Sequence, residues 1–217
     1  MSSPASCKKL RRHLALSISI SVILLPAVSL AQEKNELSGV FGRTFITGEA
    51  VPDAKFFDNL VRFGKGATAE VSYSRQFYRY RHAAFFLEVP VSMNPDEDLS
   101  FGLNAVPKDY RACFVTPSLR TKLLADKAVF PWVSVGAGYA YFSPSSSLIF
   151  GGPTPANTSK STGAFQAGVG FDVALRHHFR LIAEGRDYYT GAPDLVADTG
   201  RRHQHNRFLG VGIAWGF

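Results

Sequence analysis

Beyond residue 31, bulky apolar side chains recur at every second position. From Phe85 to Met93 the odd positions are Phe85, Leu87, Val89, Val91 and Met93, with Phe86, Glu88, Pro90 and Ser92 between them. Phe165, Ala167, Val169, Phe171, Val173 and Leu175 alternate in the same way with Gln166, Gly168, Gly170, Asp172 and Ala174. The end of the chain repeats the pattern, with Leu209, Val211, Ile213, Trp215 and Phe217 set against Gly210, Gly212, Ala214 and Gly216. A period of two is the signature of a β-strand, whose successive side chains point to opposite faces. The same template predicts eight strands, near 36–46, 67–78, 83–93, 110–123, 129–142, 164–175, 179–189 and 206–217. Most run about 10 to 14 residues; soluble strands commonly run about 5 or 6, and a tilted strand crossing a bilayer needs about 9 to 11.

The connections alternate in length. Segments 79–82, 124–128 and 176–178 are short, whereas 47–66, 94–109, 143–163 and 190–205 are long and rich in Pro, Gly, Ser and Asp. Short turns at one end and long loops at the other predict an all-β fold, an eight-stranded antiparallel up-and-down transmembrane β-barrel with both termini on the short-turn side. A water-facing set of even positions would be full of Lys, Glu and Thr. Instead it holds Gly136, Gly138, Gly168, Gly170, Gly210 and Gly212, which suit a crowded interior. On the same parity lie Glu70, Glu88, Asp172 and Glu184 with Arg120, Lys122, Arg180 and Arg186. An ion held away from bulk water without a partner costs several kcal/mol. These eight are therefore expected to form a paired charge network filling the lumen, with no open pore.

Arg43, Arg75 and Asp187 fall on the lipid parity, toward strand ends where the penalty for a charge shrinks to about 0–1 kcal/mol. Aromatic residues collect at both ends. Phe77, Tyr78, Tyr80, Phe130, Trp132, Trp215 and Phe217 lie next to short turns, and Phe45, Tyr139, Tyr141, Phe142, Tyr188 and Tyr189 next to long loops. Two interfacial girdles are the expectation from position.

The 217 residues include 24 Lys+Arg and 17 Asp+Glu, but Lys8, Lys9, Arg11 and Arg12 precede an apolar run from Leu14 to Leu30 that ends at Ser29-Leu30-Ala31. That layout predicts a cleaved signal peptide over 1–31 and a barrel domain over 32–217. Without the leader the balance is 20 bases to 17 acids, too even to suggest a nucleic-acid partner. Cys7 lies in the leader, so Cys113 has no internal disulfide partner. No later stretch reaches 18 apolar residues, which excludes helical spans.

The closing Gly212-Ile213-Ala214-Trp215-Gly216-Phe217 resembles the C-terminal sorting signal of outer-membrane barrels, with Gly212, Trp215 and Phe217 as its marks. Gly210 departs from it, standing where that signal often carries a polar residue. Together with the strand pattern, the chain is similar to the small outer-membrane β-barrel families of the OmpA/OmpX type. The resemblance implies the outer membrane of a Gram-negative-type cell envelope and a last strand read by the barrel-assembly machinery. It also implies contact with outer-membrane lipid and lipopolysaccharide, and a monomer.

Catalysis needs a base within hydrogen-bond reach of a nucleophile. His203 and His205 near Asp198, and Ser145, Ser146 and Ser147 in the third long loop, are the only candidates, and they form no recognisable motif. His177-His178 and His203-x-His205 each offer two nitrogens where zinc takes about three or four ligands, so neither metal nor cofactor is expected. The first long loop alternates Phe56, Phe57, Leu60, Val61 and Phe63 with Lys55, Arg62 and Lys65. Arg201, Arg202 and Arg207 are candidate contacts for lipopolysaccharide phosphates. The expectation is a non-enzymatic barrel with a structural or surface-interaction role. A lipid A-modifying barrel enzyme and a soluble lipocalin-like carrier of an apolar ligand stand as alternatives.

Overall fold

A computed structural model describes residues 34–51, 59–64, 66–124, 128–154, 159–176, 178–193, 195 and 201–217. The leader expected over 1–31, and Lys55, Phe56, Phe57, Lys65, His177 and Asp198, lie outside them. The described elements are strands: β1 (Asn35–Ile46), β2 (Glu49–Ala50), β3 (Leu60–Phe63), β4 (Ala67–Tyr80), β5 (Ala83–Ser100), β6 (Asp109–Val115), β7 (Ser118–Leu123), β8 (Val129–Pro144), β9 (Lys160–Arg176), β10 (Phe179–Gly191) and β11 (His203–Gly216).

All pairings are antiparallel. β1 pairs β4 on one side and β11 on the other, and the chain continues around through β5, β8, β9 and β10. β6 and β7 lie end to end between β5 and β8, so eight staves close into a ring. β2 and β3 form a small ladder that joins the long-loop end of β5. Asn35 and Phe217 exchange backbone hydrogen bonds of 3.0 and 2.9 Å, placing both ends at the short-turn side. Arg81, in the two-residue turn between β4 and β5, has φ of 50°, the left-handed conformation a tight hairpin demands.

Two strands differ from the sequence pattern. The stave expected over 110–123 breaks at Thr116 and Pro117, because Pro117 has no N–H and Pro90 lies at the same level of the neighbouring strand. Its alternation nevertheless continues, with Phe114, Thr116, Ser118 and Arg120 all buried. β5 runs on to Ser100, where the Pro- and Asp-rich sequence reads as a loop. A bulge between Asn94 and Glu97 absorbs Pro95 and reverses the parity, so that Glu97 and Leu99 point inward.

The apolar rows face out. Phe171 is 48% exposed and Ile213 54%, while Asp172 between the strands' bulky residues is 0% exposed. That orientation excludes the lipocalin-like arrangement, in which large apolar side chains line the interior. Four aromatics expected in the girdles are inside instead: Phe130, Trp132, Phe142 and Tyr188 are all buried. Each sits at an even position, and the pleat decides the face of a strand residue whatever its distance from the strand end. Phe77, Tyr78, Tyr80, Phe217, Tyr139, Tyr141 and Tyr189 are exposed, and Trp215 is half-buried with its ring stacked on Phe217 at 4.8 Å.

Toward the long loops the interior is aromatic. Phe114 stacks on Tyr188 at 4.7 Å and meets Phe142 edge-on at 6.0 Å, and Tyr110 meets Phe142 at 5.9 Å. Val61, Leu99, Phe101, Val106 and Leu195 continue this core into the loop region. The loops are tied together there, with Asn104 donating to the Gly151 carbonyl at 2.9 Å and accepting from the Phe150 N–H at 2.9 Å.

Small inward residues set how closely the staves approach. A Cβ on Gly42 would come within 1.9 Å of the Leu209 carbonyl oxygen, a backbone atom that cannot yield, whereas a Cβ on outward-facing Gly39 meets nothing within 4 Å. Gly42→Val is therefore expected to destabilise the barrel by at least about 1–3 kcal/mol, and Gly39→Val to change it by less than about 0.5 kcal/mol. Heat-modifiable gel migration of the two variants checks this, and equal melting of both would contradict the seam geometry.

Candidate functional site

On the short-turn side of the aromatic layer, the even positions of six staves converge into one ionic cluster. Arg120 is fully buried and donates to Glu88 at 3.2 Å and to Asp172 at 3.1 Å, with Glu36 at 3.5 Å. Its guanidinium lies 3.8 Å over the Trp132 ring, and the Trp132 indole N–H donates to the same Asp172 at 2.8 Å. Lys122 donates to Glu36 at 2.6 Å and Asp172 at 2.7 Å. Arg186 reaches Glu70 at 3.0 Å, Glu88 at 2.9 Å and Glu184 at 3.2 Å. Arg180, at the short-turn rim, contacts Glu36. Hydroxyl groups add further donors, Ser72 and Ser118 to Glu88 at 3.2 Å each and Tyr188 to Glu70 at 2.9 Å. Each charge thus meets an opposite charge, on another stave for all but Glu184, which pairs Arg186 of its own strand, and such pairing is the condition under which burial of ions is tolerated.

All eight charged residues read from the parity rule lie in this cluster. Glu36, Trp132, Ser92 and Tyr188 complete the cluster and lie outside the set expected from sequence. Glu36 carried its own signal, an even position at the first residue of a predicted strand. Trp132 and Tyr188 lie close to strand ends, which suggests a girdle, but their even positions turn them into the lumen. The Ser92 hydroxyl lies 2.6 Å from that of Tyr188, a contact between strands that no local pattern specifies.

At the long-loop end, past the apolar belt, Glu97 is buried beneath the loops. It accepts from Asn94 at 2.7 Å and from the Gly66 N–H at 3.1 Å. Burial, with smaller contributions from Asp98 and Asp96, outweighs these bonds and pushes its carboxyl up to about 7.

The candidate loop contacts lie elsewhere. Arg201 and Arg202 are exposed at the entry to β11, and Arg207 is exposed on the outer wall of that strand. His203 and His205 stack on Tyr189 at 5.2 and 4.9 Å, and His205 Nδ1 lies 2.8 Å from Asp187. Ser145 accepts from the Ser147 N–H within its own loop. Among the described residues no hydrogen bond joins these serines to a histidine, and no group of three His, Cys, Asp or Glu is placed to hold a metal ion.

A closed ring of eight antiparallel strands, with its bulky apolar rows outside and its charges inside, is the fold of the small outer-membrane β-barrels. Solved structures share it. Neisserial surface protein A superimposes with a TM-score of 0.53 at 12% identity, over 84% of this chain and 97% of that one. Outer membrane protein OprG from Pseudomonas aeruginosa matches with a TM-score of 0.50 at 11% identity, over 86% and 98%. Outer membrane protein AlkL matches with a TM-score of 0.50 at 19% identity, over 89% and 95%. No protein-family model matches the chain, and comparison with curated proteins finds no match either.

Removing Arg120 would take a shared cation from Glu36, Glu88 and Asp172 at once, leaving Lys122, Arg180 and Arg186 to face the same number of carboxylates. Arg120→Met is expected to cost about 3–5 kcal/mol, and Arg120→Lys less, since it keeps the charge but loses the planar fork. Urea unfolding in detergent micelles measures both; a cost under about 1 kcal/mol for Arg120→Met would mean that water reaches the cluster.

Glu97 makes the loop cap pH-dependent. Its carboxyl ionises near 4.5 ordinarily and near 7 when folded, so between these values the folded form holds a proton that the open form releases. Cap stability is full below about 4.5 and declines as pH rises through 7. Proteolysis within 101–108 is expected to quicken from pH 5 to pH 8, after correction for protease activity, and to lose that dependence in Glu97→Gln.

Proposed function

We propose that this chain is an outer-membrane barrel with a structural or surface-interaction role, embedded as a monomer with its long loops outside the cell. The observation that carries this reading is the segregation of faces: Phe171, Val211 and Ile213 are exposed on the wall, while Arg120, Asp172 and Glu88 are buried and mutually paired. Only a hydrocarbon solvent makes such an exterior favourable. The lumen is read as a packed plug of paired side chains with no open pore, supported by the aromatic layer above the charges and the apolar loop cluster above that.

In this reading residues 1–31 direct export, and Gly212, Trp215 and Phe217 mark the last strand for barrel assembly. The partners are outer-membrane lipid and lipopolysaccharide, with Arg201, Arg202 and Arg207 as the anion contacts. A non-catalytic role is favoured over lipid A modification because the candidate histidines are engaged with Tyr189 and Asp187 on the outer wall.

Separation of inner and outer membranes of the native host tests the placement, with the protein expected in the outer-membrane fraction. Planar-bilayer recording tests the plug: the reconstituted protein is expected to give no stable, large single-channel conductance, and a steady one would overturn that part of the reading.

A further inference from the structure

The outer wall is not uniform. Outward residues of β9, β10, β11 and β1 lie side by side in rungs, and in one of them Val169, Gly185, Leu209 and Arg43 are neighbours. Gly185 contributes no bulk, and Ala183, the next outward residue toward the short turns, contributes little. The result is an apolar groove of about 740 Å³ flanked by Phe41, Phe171 and Leu209. A Cβ at Gly185 would already approach the Leu209 side chain at 2.9 Å, so any larger residue there would occupy the trough.

Arg43 lines the end of this groove nearest the long loops, and Arg207 stands one outward position beyond Leu209 on the neighbouring strand. Arg43 and Arg207 sit on paired strands at diagonal positions, where Cα atoms lie about 7–8 Å apart. Both are exposed, and neither side chain makes an ion pair or hydrogen bond among the described residues. Asp187 stands opposite Arg207 but is turned to His205 at 2.8 Å. The local balance of these arginines and the aspartate is positive even with His205 neutral. One rung further toward the loops, Tyr189 and His205 mark the level of the aromatic girdle. An apolar trough that opens at the membrane interface onto two unpartnered guanidinium groups matches a hydrocarbon chain carrying a phosphate, which arginine binds by paired, charge-assisted hydrogen bonds.

We infer that this face binds one molecule of lipid A, the phosphorylated glycolipid of the outer leaflet, with an acyl chain along Ala183 and Gly185 and a phosphate between Arg43 and Arg207. The inference deepens the proposed function and rests on its placement of the barrel in the outer membrane.

The test is native mass spectrometry of the full-length mature protein, released from detergent micelles supplemented with lipid A, dephosphorylated lipid A or phosphatidylglycerol. One retained lipid A per barrel is expected, with retention falling about tenfold or more in the Arg43→Gln/Arg207→Gln double variant. Gly185→Leu is expected to reduce retention of lipid A by filling the trough, Asp187→Asn to increase it by removing a repelling charge, and Gly39→Val, an outward glycine beyond the groove, to leave it unchanged. Heat-modifiable migration verifies that each variant is folded. Equal retention of all three lipids, preference for phosphatidylglycerol, or an undiminished folded double variant would overturn the inference while leaving the barrel's placement intact. Wild-type protein found outside the outer-membrane fraction of the host would overturn both.

Discussion

Closure of the sheet is the constraint on which everything else depends. A wall that shows Leu, Val, Ile and Phe to hydrocarbon has no water available to its backbone, so an open edge would leave a whole row of N–H and C=O groups unsatisfied. Pairing β1 with β11, from Glu36 opposite Gly216 to Ile46 opposite Asn206, removes that edge. The seam needs close approach of two backbones, and Gly42, Gly210 and Gly212 supply it: a Cβ on Gly212 would fall 2.0 Å from the Gly39 carbonyl oxygen.

Closure with eight staves then fixes what the interior can be. The ring is just wide enough for side chains to fill, so every inward residue must be small or must find partners among those opposite. Gly170 illustrates the first case, since a Cβ there would collide with the Trp132 ring at 2.5 Å. Trp132 illustrates the second, lying under Arg120 and donating to Asp172. Serines at Ser72, Ser92 and Ser118 take the acceptor sites that the larger ions leave, so the charged and aromatic layers join through the Tyr188, Ser92 and Glu70 contacts without an apolar gap between them.

How much of this could be read from the chain depends on which interactions are local. The face of each strand residue is set by the pleat, and parity alone placed Arg120, Lys122, Asp172 and Arg186 in one lumen. It would equally have placed Phe130, Trp132, Phe142 and Tyr188 there. Distance along the strand suggests a girdle position for these four, yet only the face of the strand decides where they point. Glu36 obeyed the same rule but stood at a strand terminus, where pairing is hard to foresee. Pro95 and the acids around it hid the outer third of β5, since a bulge that absorbs a proline has no short-range pattern. Which acid meets which base was beyond reach altogether: Lys122 and Glu36 are 86 residues apart and meet only through the curvature of the ring.

The charges of this barrel divide by face, and the division bears on function. Inside, Arg120 and Arg186 each reach three carboxylates, and the low dielectric makes any lone ion costly, so their arrangement is explained by the requirement to pair. Folding alone accounts for them. Outside, Arg43 and Arg207 have no such explanation, because an outward strand position could carry leucine at no cost to the lumen or to the ladder. A charge that neither pairs within the protein nor supports its core points to something it meets in its surroundings, which in the proposed placement, at the level of Tyr189, are lipid headgroups. The interior network therefore speaks to stability, whereas any selectivity this barrel has for the membrane around it resides in the few outward residues that depart from the apolar pattern.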